Sequence, residues 1–128
     1  EAAMIKISLK GNFKNIEKFF DGAKNRLPQR IRSVLDRYGR QGVAALQMYT
    51  PKDSGETANS WKYEIFNLGI AWSNTNVTSN GTPIAILLQY GHGTKNGGYV
   101  QGRDYINPAL QPIFDEIADN CWKEVENL

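Results

Sequence analysis

The stretch Gln89-Tyr90-Gly91-His92-Gly93-Thr94, running on to Tyr105-Ile106-Asn107-Pro108-Ala109-Leu110, decides how the chain is organised. An apolar segment at 84–88 leads into it and a long amphipathic pattern leaves it. Gly91, Gly93, Gly97, Gly98 and Gly102 fall between the two, together with His92, the only histidine of the chain. A glycine-rich loop between ordered elements serves as a phosphate cradle, a catalytic lid or a docking loop. Composition does not separate these, so the flanking chain has to.

Upstream, Thr82-Pro83-Ile84 has the form of a helix start, with Thr as cap and Pro as first residue. The segment 84–90 then reads as a short buried helix closed by Gly91. A strand competes with it, because so short an apolar run fits either element. Downstream, 99–106 reads as extended chain with room for one more strand, and Asn107-Pro108 repeats the cap-plus-proline start. Leu110, Ile113, Phe114, Ile117, Cys121 and Val125, with Trp122 beside them, then recur at helical spacing to the end of the chain.

Further from the loop, Ile5, Ile7 and Leu9 alternate with polar residues in a short half-buried strand over 4–9. Asn12 is a plausible cap for a helix carrying Phe13, Ile16, Phe19 or Phe20, and Ala23. Leu27-Pro28 ends that run, and Pro28 opens a longer helix to about Tyr49. Ile31, Leu35, Tyr38, Ala45, Leu46 and Tyr49 form its apolar stripe, widened by Val34 and Met48. Gly39 and Gly42 lie inside this helix at a cost of roughly 1 kcal/mol each, which implies close approach by another backbone, from this fold or a neighbouring subunit. Arg30, Arg37 and Arg40, after Arg26, line a different face, either solvated or turned to phosphates or an acidic partner. Thr50-Pro51-Lys52-Asp53-Ser54-Gly55 must end the helix, with Ser54 or Thr57 as cap of a short turn. Trp61, Tyr63 and Ile65 share one face of a strand over 61–66, Asn67-Leu68-Gly69 turns, and 70–73 returns as its hairpin partner. Asn80-Gly81 marks a second turn. The fold class is therefore α+β: helices at both ends of the chain around a small antiparallel sheet, in a single domain over 4–128. Met4 reads as the native start, with Glu1 to Ala3 a remnant of expression.

The 128 residues are enough for one core and not for two. No apolar run approaches the roughly 20 residues that span a bilayer. One cysteine excludes an internal disulfide and fits a reducing cytosol. The net charge of +2 is too small to argue nucleic-acid binding. Its distribution is uneven: Lys and Arg outnumber Asp and Glu over 6–40, whereas 115–128 is acidic. That asymmetry fits head-to-tail contacts between copies, and equally two solvated helix faces of opposite sign.

Chemistry is hard to find. One histidine and one cysteine exclude multi-histidine and thiolate metal sites. Cys121 falls on an apolar stripe, as a packed thiol would. Ser54 or Ser60 with His92 and Asp53 or Asp104 is a hydrolase on paper, without a nucleophile elbow. Gly91-His92-Gly93-Thr94-Lys95-Asn96-Gly97-Gly98 lacks the spacing of a phosphate loop and no helix follows it directly. Asn76-Val77-Thr78 and Asn80-Gly81-Thr82 match glycosylation acceptors and read as chance without a secretory signal. The residues thus give no catalytic, cofactor or metal site.

Three blocks carry a family resemblance. Thr50-Pro51-Lys52-Asp53-Ser54-Gly55-Glu56-Thr57-Ala58-Asn59-Ser60 resembles Thr-Pro-x-Asp/Lys-Thr/Ser-Gly-x-Leu-x-x-Ser, a motif in small virion proteins of long-tailed bacteriophages. Leu88-Gln89-Tyr90-Gly91-His92-Gly93-Thr94 is similar to their hydrophobic-Glu-Phe/Tyr-Gly-Thr block. Tyr105-Ile106-Asn107-Pro108-Ala109-Leu110 is similar to the aromatic-apolar-x-Pro-Ala block before their terminal helix. The chain departs from the pattern at Thr57, at Gln89 where Glu is common, and by the Gly-His before Thr94. The family is that of the neck or tail-completion proteins, which join the phage head to the tail; related prophages and tail-like bacteriocins carry similar proteins. The resemblance implies a structural protein of the head–tail junction, made in the bacterial cytoplasm. It would form a homo-oligomeric ring, sixfold in expectation, between head-closure and tail proteins and around the DNA channel. On that reading 91–103 is a docking loop, mobile before assembly, with Lys95, Tyr99 and Arg103 as contact residues. Arg30, Arg37 and Arg40 would face the channel or an acidic partner. The competing classes are a nucleic-acid-binding module built on the arginine face and the small hydrolase.

Overall fold

The computed structural model describes residues 3–8, 27–52, 55–66 and 69–126. The helix expected after Asn12 lies outside the described residues, as do Asp53 and Ser54. The architecture is α+β: three helices, a three-stranded antiparallel sheet and a separate two-stranded hairpin. Of the helices expected at the two ends, the C-terminal one is present.

Strand β1 (Ala3–Ser8) lies on one side of β3 (Gly69–Asn74), and β2 (Trp61–Phe66) on the other. The register sets Ile5 and Tyr63 opposite Trp72, and Ile65 opposite Ile70. Alternation along β2 turns Trp61, Tyr63 and Ile65 inward while Lys62 and Glu64 stay exposed, as the period of two requires. Central β3 is buried nearly throughout.

Helix α1 (Leu27–Tyr49) packs on β2 and β3 and along α3 (Ile106–Glu126). Ile31, Leu35, Tyr38 and Leu46 from α1 join Ile70 and Trp72 from the sheet and Leu110, Ile113 and Ile117 from α3 in one core. Trp72 is its centre, fully buried, with the Phe114 ring tilted against it at 6.0 Å between centroids. Fully burying one such side chain contributes on the order of 2–3 kcal/mol. The apolar stripe of α1 ends sooner than its pattern suggested. Met48 and Tyr49 are exposed, because the helix outruns the sheet at its last turn.

Gly39 and Gly42 do admit a close neighbour, but it is aromatic side chain and not backbone. A Cβ on Gly39 would fall within the Tyr63 ring, and one on Gly42 within the indole of Trp72. The helix therefore lies down on two sheet aromatics, and the indole Nε1 donates to the Gly39 carbonyl at 3.0 Å. The requirement comes from within the fold.

Thr50 ends α1: its hydroxyl donates to the Leu46 carbonyl and accepts from Trp61 Nε1 at 2.9 Å. A single 3₁₀ turn (Ala58–Ser60) follows before β2. Thr57 precedes that turn without capping it; its Oγ1 instead accepts from Asn76 Nδ2 at 2.7 Å, and its carbonyl accepts from buried Asn74. The apolar run after Pro83 is a helix, α2 (Ile84–Tyr90). Pro83 holds the cap position with no side-chain cap, so Thr82 does not play the part its spacing assigned.

Candidate functional site

The glycine-rich stretch folds into a hairpin. Strand β4 (Gly91–Gly93) pairs antiparallel with β5 (Tyr99–Gln101), setting Gly91 opposite Gln101, His92 opposite Val100 and Gly93 opposite Tyr99. At the tip, the amide of Thr94 donates to the Gly98 carbonyl at 2.9 Å, and that of Gly98 to Thr94 Oγ1 at 3.0 Å. The expected loop is thus an ordered arm. It projects from the body: every residue from 93 to 101 is exposed.

Two of its glycines work by close packing. Gly91 ends α2 with φ of +80°, a left-handed value that favours glycine. A Cβ there would also lie 2.6 Å from Tyr99 Oη, because the Tyr99 side chain lies back across the strand pair. That hydroxyl donates to the Tyr90 carbonyl at 2.9 Å. Gly102 presses on the backbone of Gln89, Tyr90 and Gly91 and leaves no room for a side chain. The arm is therefore creased at a fixed place, with Tyr99 as its internal brace.

Its base is stitched by residues of the three motif blocks. Buried Gln89 donates from Nε2 to Asp104 Oδ1 at 2.7 Å, and its Oε1 accepts from the amides of Tyr105 and Ile106, both at 3.0 Å. Buried Tyr105 donates its hydroxyl to the Ala85 carbonyl at 2.8 Å, with Thr50 also beside it. Burial pushes its pKa up to about 12. Asp104 is held below the ordinary carboxylate range, chiefly by the Gln89 hydrogen bond and further by the side chain and backbone amide of Asn107. Together these groups satisfy the first donors of α3, which is why that helix begins at Ile106 and not after Asn107. Spacing pointed to Asn107-Pro108; the capping groups come from α2 and Asp104, which only the tertiary fold brings there.

The proposed contact residues differ in what they are free to do. Lys95 stands exposed in the tip turn. Tyr99 is 62% exposed although its hydroxyl is engaged. Arg103 is a structural tie: its amide donates to the Leu88 carbonyl at 3.0 Å, and Nη2 to the Tyr49 carbonyl at 3.1 Å, where the end of α1 favours a cation. Around this base Tyr49, Tyr90, Tyr99 and Val100 are all exposed. Tyrosine and arginine are the residue types that interfaces concentrate.

The arginine face divides. Arg30 and Arg37 line one shallow hollow with Ser33 and Val34, and the Arg37 guanidinium lies 5.0 Å from the Tyr38 ring centroid. Arg40 is not in that hollow; it pairs with Asp36 at 3.1 Å. Asp36 also accepts from Tyr63 Oη at 2.6 Å, a bond that raises the Tyr63 pKa. The three arginines do not form one continuous stripe.

The hydrolase candidates are not joined by hydrogen bonds. Ser60 Oγ donates to the Glu56 carbonyl at 2.7 Å, Asp104 is engaged by Gln89, and buried His92 Nδ1 has no partner among the described residues. The side chain of Cys121 lies outside the described residues. Among the described residues no group of three or more acidic, histidine or cysteine side chains is placed to hold a metal ion. Also among them, no helix is long and apolar enough to cross a membrane. No family model, curated protein or solved structure matches the chain.

Proposed function

We propose that this protein is a structural component of a phage or prophage head–tail junction, a neck or tail-completion protein that assembles as a ring around the DNA channel. The observation that carries the reading is the exposed hairpin β4–β5. An isolated two-stranded hairpin is marginal in water, and this one leaves Tyr99 and Val100 uncovered on an arm with a built base. Such an arm suits docking better than catalysis. The three motif blocks that resemble the family support it from the sequence side. In this fold they form the joint from which the arm springs.

The arm is ordered by pairing within itself, so docking need not wait for a disordered loop to fold. Opposite charge at 6–40 and 115–128 favours head-to-tail over face-to-face contact, and such contacts close into rings when the rotation allows. Neighbouring rings, formed by head-closure and tail proteins, are the further partners. Immunogold labelling tests the location. Antibody to the chain should mark the junction between head and tail in particles induced from a host carrying the gene. Label confined to material outside particles would overturn the reading.

The second reading is a nucleic-acid module using Arg30 and Arg37, favoured by the hollow they line. Binding through two phosphates would give log K falling against log salt with a slope of roughly −2. Indifference of the purified chain to duplex DNA would remove it.

A further inference from the structure

A second feature has no role in the fold. Between the turn after α1 and the outer side of α2 lies a half-open cleft of about 160 Å³. Pro51, Ile84 and Leu88 give it apolar walls, and Thr57 and Asn76, bonded to each other at 2.7 Å, close its back. Glu56, exposed, is the one charged side chain among its described lining residues. Small-molecule sites run to about 300–1,000 Å³, so this cleft is too small for most ligands and suits one long side chain.

The arm offers such a side chain. From 91 to 103 the sequence holds Lys95 and Arg103 and no acidic residue. Arg103 is tied to the end of α1, which leaves Lys95 in the tip turn as the outermost charge. Lys95 is exposed and is not among the residues lining the cleft of its own chain. A lysine places its methylene stem on apolar surface and its ammonium at a polar rim. Pro51, Ile84 and Leu88 with Glu56 at the mouth are that surface and that rim.

We infer that the arm of one copy docks on the next, with Lys95 entering the cleft and pairing with Glu56 of a second copy of this chain. The contact rests on the ring reading and gives it a geometry. Arm and cleft are different surfaces of one chain, so each copy gives one and receives one. The contact is heterologous and repeats around a ring. Apolar Tyr99 and Val100 are then covered beside the pair.

Charge reversal tests this on the full chain. Lys95→Glu and Glu56→Lys are surface changes, and circular dichroism checks that both variants fold. In sedimentation of the wild type, association rises with concentration. Each single variant should weaken it at least tenfold. An equimolar mixture of the two variants should restore it, since each arm then meets a cleft of opposite charge, and so should the double variant. Single variants that associate like wild type would overturn the contact and leave the ring reading standing. Loss in the singles without rescue in the mixture would also overturn it. A wild-type chain that stays monomeric at every concentration would remove this contact as well, with the ring reading then decided by the junction labelling.

Discussion

At Gly39 and Gly42 the two sides of one substitution oppose each other. Alanine gains about 1 kcal/mol of helix propensity at either position. It also drives a methyl into the Tyr63 or Trp72 ring, and overpacking of that kind costs typically 1–3 kcal/mol. Gly42→Ala should therefore destabilise, with the larger effect, because buried Trp72 also donates to the Gly39 carbonyl. Urea unfolding followed by tryptophan fluorescence measures it; a stabilised Gly42→Ala would refute the packing account. The sequence showed that these glycines needed a neighbour but not which one, since the aromatic partners lie more than twenty positions away on the sheet. Tyr105 makes a prediction about pH. Its folded pKa, near 12, lies above its unfolded value near 10. The stabilisation it gives is fully present below pH 10 and is lost as pH rises towards 12. Tyr63 is shifted in the same direction. Chemical denaturation across that window should show stability falling, with a shallower fall in Tyr105→Phe. Equal slopes would contradict the burial argument.

The helices and strands were legible wherever periodicity was strong. Over 27–49 and 61–74 the pattern of apolar residues places α1, β2 and β3 to within about two residues. Helix starts were less legible, because capping groups distant in sequence carry them. Gln89 is the example: from α2 it accepts two amides at the start of α3. Gln89→Leu should leave Tyr105 and Ile106 amides unpaired and cost roughly 1–3 kcal/mol per buried group. Gln89→Glu should keep the acceptor but set a second carboxylate against Asp104, so it should be the less stable above the carboxylate range and recover as pH falls. Thermal unfolding at two pH values separates the variants. Pro112 gives the opposite expectation. It lies inside α3 beyond the first turn, exposed, where it removes one helical hydrogen bond. Pro112→Ala should stabilise by roughly 1–3 kcal/mol. The hairpin was half legible: its glycines read as a loop, and the pairing of His92 with Val100 has too few residues to leave a period.

On the scale of the whole molecule, a compact joint of α1, α2 and α3 carries an arm that its own fold does not cover. The joint explains why the motif blocks lie where they do: Thr50, Gln89 and Tyr105 meet around the arm's base. Which surface the arm meets was not legible in the sequence, since Lys95 and Glu56 belong to different elements and come together only between copies. The account's central claim is that copies join head to tail through this arm and close. Native mass spectrometry of the full chain over a range of concentrations tests that claim most directly. The account predicts one closed oligomer, sixfold as the resemblance implies, populated at the expense of monomer and abolished when 94–98 is replaced by a two-residue turn. A two-fold dimer as the largest species, unchanged by shortening the arm, would contradict it.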